Sequence, residues 1–268
     1  MRAADRLLLL LLATLLVAGC GRDGRNLKAG RVKHIEHVSP DYDLRDDRAA
    51  RDRQKYTELM GLAGDRFQRG QLEEALKFAR SAQKLDQGRT DAYTVQALIQ
   101  GRLGQDEAAG ALYRKAAEMA PQQGGVLNNY GAWLCAHGHP AEALVWFDRA
   151  LAAPDQGARA DALANAGGCA LDAGQNERAE KDLRQALELI PGNAYALESM
   201  ARNEFLHGRY FEARAFYQRR LAAAPATVSV LQLAIQIEER LGDRSAVGRI
   251  QQRLREEFPS DAASKSQG

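Results

Sequence analysis

The sequence predicts an all-α chain of six helix-turn-helix units stacked as a solenoid, and three observations lead there. Glycine recurs at Gly70, Gly104, Gly138, Gly174, Gly208 and Gly242, at intervals of 34 residues except for one of 36. Five residues after each glycine stand Ala75, Ala109, Ala143, Ala179, Ala213 and finally Val247. Pro121, Pro191, Pro225 and Pro259 fall seventeen residues after their glycines, with Pro154 one place early. Self-similarity at a fixed period of this length is the mark of a solenoid. The composition agrees, since aromatic residues make up 6% and Ala, Leu, Arg, Glu and Gln abound, the side chains that lose least on entering a helix.

Taken in order, the chain opens with an export pattern. Arg2 and Arg6 precede an apolar run over Leu7 to Val17, and the small residues Ala18 and Gly19 follow, the three-part layout of a signal peptide. The run is too short for a comfortable membrane span. Val17-Ala18-Gly19-Cys20 resembles the lipobox of bacterial lipoproteins. That resemblance implies cleavage between Gly19 and Cys20 and a covalent lipid on Cys20. Several acyl chains, at about 0.8 kcal/mol per buried methylene, anchor a protein permanently. Lipoproteins kept at the inner membrane usually carry Asp in the next position, so Gly21 implies sorting to the outer membrane.

Residues 1–19 are thus expected to be the signal peptide, and 20–47 a lipidated N-terminus and flexible tether rich in Arg, Lys, Asp and Gly. His34 and His37 lie in that tether, but two histidines without a third close ligand make no recognised metal site. The repeats are expected over 48–260, in units of about 56–89, 90–123, 124–159, 160–193, 194–227 and 228–261. Residues 262–268 are read as a disordered tail, and Asp46 to Lys55 as an extension of the first helix. The two extra residues of the 36-residue interval fit the loop Pro154-Asp-Gln-Gly157.

Within a unit, the glycine takes positive φ at no steric cost and ends one helix. The alanine lets the second helix approach closely, and the proline ends that second helix because the residue before it avoids the α region. Between them the apolar positions keep helical spacing, as in Ala143, Leu144, Phe147, Ala150 and Leu151. This pattern resembles the tetratricopeptide repeat, which implies a right-handed solenoid. With the glycine as place fifteen, the small eighth place reads Ala63, Ala97, Gly131, Gly167, Ala201 and, departing, Ile235. Gln87 replaces the first proline, and Arg220 and Leu254 replace alanine at place twenty-seven. Terminal units are expected to depart from the pattern because one side faces water.

In such solenoids the first helices line a concave groove that holds segments of partner proteins. By analogy, places two, five, nine and twelve face inward. They read Thr57, Met60, Gly64 and Phe67 in the first unit and Asp91, Thr94, Leu98 and Gly101 in the second, which is small and apolar. In the last two units they read Tyr195, Glu198, Arg202, Phe205, Ser229, Gln232, Gln236 and Glu239, which is polar and charged. Met60, Phe67 and Leu98 are therefore candidates for an apolar partner-binding patch, or else they are core. Asn128, Asn129 and Asn165, at places five and six, carry amides able to bond a peptide backbone or a neighbouring helix. Cys135 and Cys169 fall in the first helices of adjacent units, where they are either a disulfide of an oxidising compartment or two small buried apolar residues.

Leu127-Asn-Asn-Tyr-Gly-Ala-Trp-Leu-Cys135 and Asn165-Ala-Gly-Gly-Cys-Ala170 add non-consensus residues at fixed places. With Ile235-Gln-Ile-Glu-Glu-Arg-Leu-Gly-Asp243 and Leu254-Arg-Glu-Glu-Phe-Pro259, they resemble the PilF/PilW family of type IV pilus biogenesis and stability proteins. The resemblance implies an outer-membrane lipoprotein facing the periplasm, a pilotin whose partners are the pilus secretin subunit and, through the anchor, outer-membrane lipid. It also favours the bridge between Cys135 and Cys169, since paired cysteines recur there in some relatives. A general envelope-assembly adaptor, binding outer-membrane or peptidoglycan-enzyme partners, fits the bare repeat but not these segments.

Catalysis is not expected. There is no phosphate-binding glycine loop, no cofactor motif and no metal cluster, and neither repeat cysteine has an evident base. His137 and His139 flank an inter-helix glycine, where polar turn residues are ordinary. The formal charge is +2, and loss of residues 1–19 leaves 35 basic against 34 acidic side chains. That balance argues against a nucleic-acid partner, and no small-molecule substrate or cofactor other than the lipid is implied.

Overall fold

A computed structural model describes residues 48–155 and 157–259. The expected signal peptide, the Gly19–Cys20 junction, the tether with Gly21, His34 and His37, and the C-terminal tail lie outside the described residues. The described residues form twelve helices: α1 Arg48–Gln68, α2 Leu72–Leu85, α3 Thr90–Arg102, α4 Asp106–Met119, α5 Gly124–Ala136, α6 Pro140–Ala152, α7 Arg159–Asp172, α8 Asn176–Leu189, α9 Ala194–Leu206, α10 Tyr210–Ala223, α11 Val228–Leu241 and α12 Arg244–Glu257. Helices pair in sequence, and the first helix of each unit from the second to the fifth also packs on the first helix of the next unit. The result is an all-α solenoid. None of these helices is long and apolar enough to cross a membrane.

Every unit turns the same way. The six glycines have φ between 71° and 81°, and the residue after each glycine donates its N–H to a carbonyl five residues back. Examples are Gln71 N to Arg66 O at 2.9 Å and Gln175 N to Ala170 O at 2.8 Å. This closure satisfies carbonyls that the end of a helix would otherwise leave unpaired. Pro121, Pro154, Pro191, Pro225 and Pro259 each stand two residues past the end of a second helix. Six residues separate α6 from α7, where four separate units elsewhere, so the extra pair falls in the loop that carries Pro154.

The repeated small residues set the helix spacing. Ala75, Ala109, Ala143, Ala179 and Ala213 are fully buried, as are Ala63, Ala97 and Ala201 on the facing helices. At two facing positions even alanine is too large. A Cβ on Gly131 would stand 2.9 Å from the Phe147 ring, and one on Gly167 would stand 2.6 Å from Leu183 Cγ. The largest apolar cluster surrounds those contacts, running from Ala117 to Met200 and including Leu127, Tyr130, Phe147 and Leu183. A smaller cluster around Val230, Leu231 and Ile237 serves the last two units. At the other end, α1 is 21 residues long against 13 or 14 elsewhere, so its N-terminal turns extend beyond the repeat.

Candidate partner-binding surfaces

The inward places of the first two units are less open than their composition promises. Met60 is half-buried against a cluster of Tyr56, Ala82 and Ala92. Phe67 is half-buried against Ala63, Ala75, Leu76, Ala79 and Ile99, with the Arg102 guanidinium 5.6 Å above its ring. Leu98, on α3, is 44% exposed. Of the three apolar candidates, Leu98 is the one whose side chain stands free, while Met60 and Phe67 divide their surface between core and groove.

The asparagines separate in a similar way. Asn165 Nδ2 donates to Asn128 Oδ1 at 3.0 Å, which ties α7 to α5. Asn128 is buried by that bond, Asn165 is half-buried and Asn129 is exposed. The same helix pair carries a disulfide between Cys135 and Cys169, with Cα atoms 5.9 Å apart, inside the range such a bond requires. Cys169 is fully buried and Cys135 is half-buried. His137 is occupied locally, with Nδ1 2.7 Å from the Trp133 carbonyl and Nε2 3.5 Å from Asp106.

Next to these ties lies a cavity of about 240 Å³, lined by Ala132, Cys135, Ala136, Phe147, Asn165, Asp172 and Tyr195. Its far wall exists because Gly168 has no side chain. A Cβ there would come within 2.5 Å of the Tyr195 hydroxyl, so the ring lies directly on the backbone of α7. Arg202 holds the rim, donating to Asp172 Oδ1 at 2.6 Å and approaching the Gly168 carbonyl at 3.5 Å. The carboxylate therefore brings no uncompensated charge to the cavity.

In the last two units much of the inward polarity is spent internally. Ser229 donates to Glu198 at 2.6 Å, and Arg220 stands 3.4 Å from the other oxygen of the same carboxylate. On the outer side, Arg178 bridges Asp148 and Asp182. Burial pushes the Asp182 carboxyl up, and Arg178 pulls against that shift. The inward places also miss the most exposed large apolar side chains of the described residues, Phe211 at 72% and Leu206 at 63%. Both flank the turn of the fifth unit, where the Phe205 and Tyr210 rings lie 5.7 Å apart. The signal was present in two other columns of the repeat. Where unit five has Leu206 and Phe211, the other units have Gln68 and Glu73, Arg102 and Glu107, Ala136 and Ala141, Asp172 and Glu177, and Arg240 and Ser245.

A sequence profile described as tetratricopeptide repeat matches residues 90–123 and 160–193. Among solved structures, one described as PilW, a widely conserved type IV pilus biogenesis factor, is 27% identical and superposes with a TM-score of 0.68. The match covers 77% of this chain and 95% of that one. PilF of Pseudomonas aeruginosa is 23% identical with a TM-score of 0.65, over 78% of this chain and 94% of its own. A tetratricopeptide repeat protein of Parabacteroides merdae, 19% identical, has a TM-score of 0.56 over 75% of this chain and 79% of its own. These last two likenesses speak for the fold. No curated protein matches the chain.

Proposed function

Taking the chain as a PilW-like tetratricopeptide-repeat protein, we propose that it acts in type IV pilus biogenesis as a pilotin, a lipid-anchored scaffold that binds the pilus secretin and promotes its assembly in the outer membrane. The observation that carries this reading is the likeness to PilW, which extends over 95% of that protein's length rather than over a few generic repeats. The lipobox-like Val17-Ala18-Gly19-Cys20 supports the anchor, and Gly21 supports the outer membrane as its destination. The body is exposed to the periplasm in this reading, the compartment that suits the disulfide between Cys135 and Cys169.

The proposed mechanism uses tether and solenoid together. A lipid on Cys20 holds the body near the membrane while the concave face holds a segment of a secretin subunit. Confinement raises the local concentration of subunits where the ring has to form, with no new contact required. Cells producing Cys20→Ala protein should accumulate secretin monomers or misplaced rings, as seen by membrane fractionation and unheated gel electrophoresis. Normal outer-membrane rings would overturn the mechanism. For the N-terminal patch, Leu98→Glu is a cleaner probe than a change at Phe67, because Leu98 is free of the core. It should weaken secretin co-purification while leaving helical content unchanged, and unaltered co-purification would remove the patch from the binding surface.

A further inference from the structure

We infer that the cavity between α5, α7 and α9 is an anchor pocket for one large uncharged apolar side chain, such as leucine, on the partner segment. The inference rests on the reading that the concave face holds such a segment, and adds where it is gripped and by what chemistry. At about 240 Å³, the cavity is smaller than the roughly 300–1,000 Å³ of small-molecule sites, which suits a single side chain. Ala132, Ala136, Phe147, the disulfide at Cys135 and the Tyr195 ring give it apolar walls.

The two other lining residues set the character of the occupant. Asn165 already gives an amide hydrogen to Asn128, which leaves its carbonyl oxygen as an acceptor. Asp172 gives Oδ1 to Arg202, and Oδ2 lies 3.9 Å from Cys135 Sγ, whose disulfide has no proton to donate. These acceptor oxygens suit the backbone N–H groups that flank an inserted side chain. An anionic side chain would face the Asp172 carboxylate, and a cationic one would meet a carboxylate already neutralised by Arg202, so that its bonds to the acceptor oxygens would offset only part of its desolvation. The walls are fixed in advance by the disulfide, the asparagine pair and the contact of Tyr195 with Gly168. A preformed pocket spares binding the cost of ordering its own walls.

The test uses the full chain in detergent, labelled with ¹³C at alanine methyls, and two probes, N-acetyl-leucinamide and N-acetyl-lysinamide. The leucine compound should shift the Ala132 and Ala136 methyl signals saturably, with the lysine compound about tenfold weaker. Ala132→Leu, which fills the cavity and removes the first reporter, should abolish the shift of the remaining Ala136 methyl. Should that variant not fold, Tyr195→Ala removes a wall and should weaken the leucine compound about tenfold. Silence of both methyls, equal or stronger response to the lysine compound, or shifts that survive these variants would overturn the inference. Methyl shifts that depend on protein concentration without any probe would identify a second copy as the occupant and overturn it likewise. A responsive pocket combined with normal secretin rings in Cys20→Ala cells would sink the proposed function and leave the pocket standing. A silent pocket with failed rings would do the reverse.

Discussion

Between α5 and α7 the solenoid is closed by a disulfide and an amide pair, and within those two units α5 packs on α6 and α7 on α8 so tightly that Gly131 and Gly167 admit no methyl group. The junction between the fifth and sixth units, where α10 packs on α11, is closed by charge. Glu238, only 1% exposed, receives hydrogen bonds from Arg214 and Tyr217, with Arg214 Nε 2.9 Å from Oε1. At the equivalent place one unit earlier, the buried Glu204 of α9 is held by Arg209. The apolar clusters differ to match, with twenty buried residues in the central one and seven in the C-terminal one. One repeat plan is thus stabilised in two ways. Apolar packing that loses a side chain is left with a cavity, whereas a buried ion pair that loses one partner leaves an uncompensated charge.

The comparison breaks most sharply at Arg214. Arg214→Ala strands the Glu238 carboxylate and should cost about 3 kcal/mol, the lower end of what breaking a buried pair costs. Urea denaturation followed by circular dichroism would measure it, and a loss below about 1 kcal/mol, the scale of a surface pair, would show that charge does not hold this end. Replacing both Cys135 and Cys169 by alanine comes next. The bridge spans 34 residues of sequence, and its removal should cost about 2–3 kcal/mol in the same assay, since measured bridges fall below the loop-closure figure. A negligible loss would mean that packing alone holds the centre. The smallest effect is expected at the turn of unit five, where Leu206→Ser with Phe211→Ser should change stability by less than about 0.5 kcal/mol. A larger loss would show that these exposed side chains belong to the C-terminal core after all.

Much of the fold was legible because a solenoid repeats its instructions. Gly70 and its successors, Ala75 and its successors and the series of prolines each mark one physical event, and their common period lets weak local signals reinforce each other. The site was less legible. Asn128 and Asn165 could be picked out as amides, but their bond to each other depends on how α5 is rotated against α7. The cavity depends on Tyr195 of one unit lying over Gly168 of the previous one, a relation with no fixed sequence spacing to advertise it. Arg214 and Glu238 lie 24 residues apart on neighbouring helices, outside any i, i+4 pattern. Leu206 and Phe211 lie on the turn edge of unit five, outside the inward places that the repeat pattern marks for binding.

The six turn glycines combine positive φ with empty surroundings, for a Cβ built on any of them would meet nothing within 4 Å. Their constraint is therefore one of handedness and not of room. A mirror-image alanine, introduced by chemical ligation, would sit at ease where its natural counterpart is strained. It would also narrow the conformations open to the unfolded chain, the source of roughly 0.4–1 kcal/mol at a compatible glycine. The turns are thus six places where the thermal limit of the solenoid could be raised without altering its concave face.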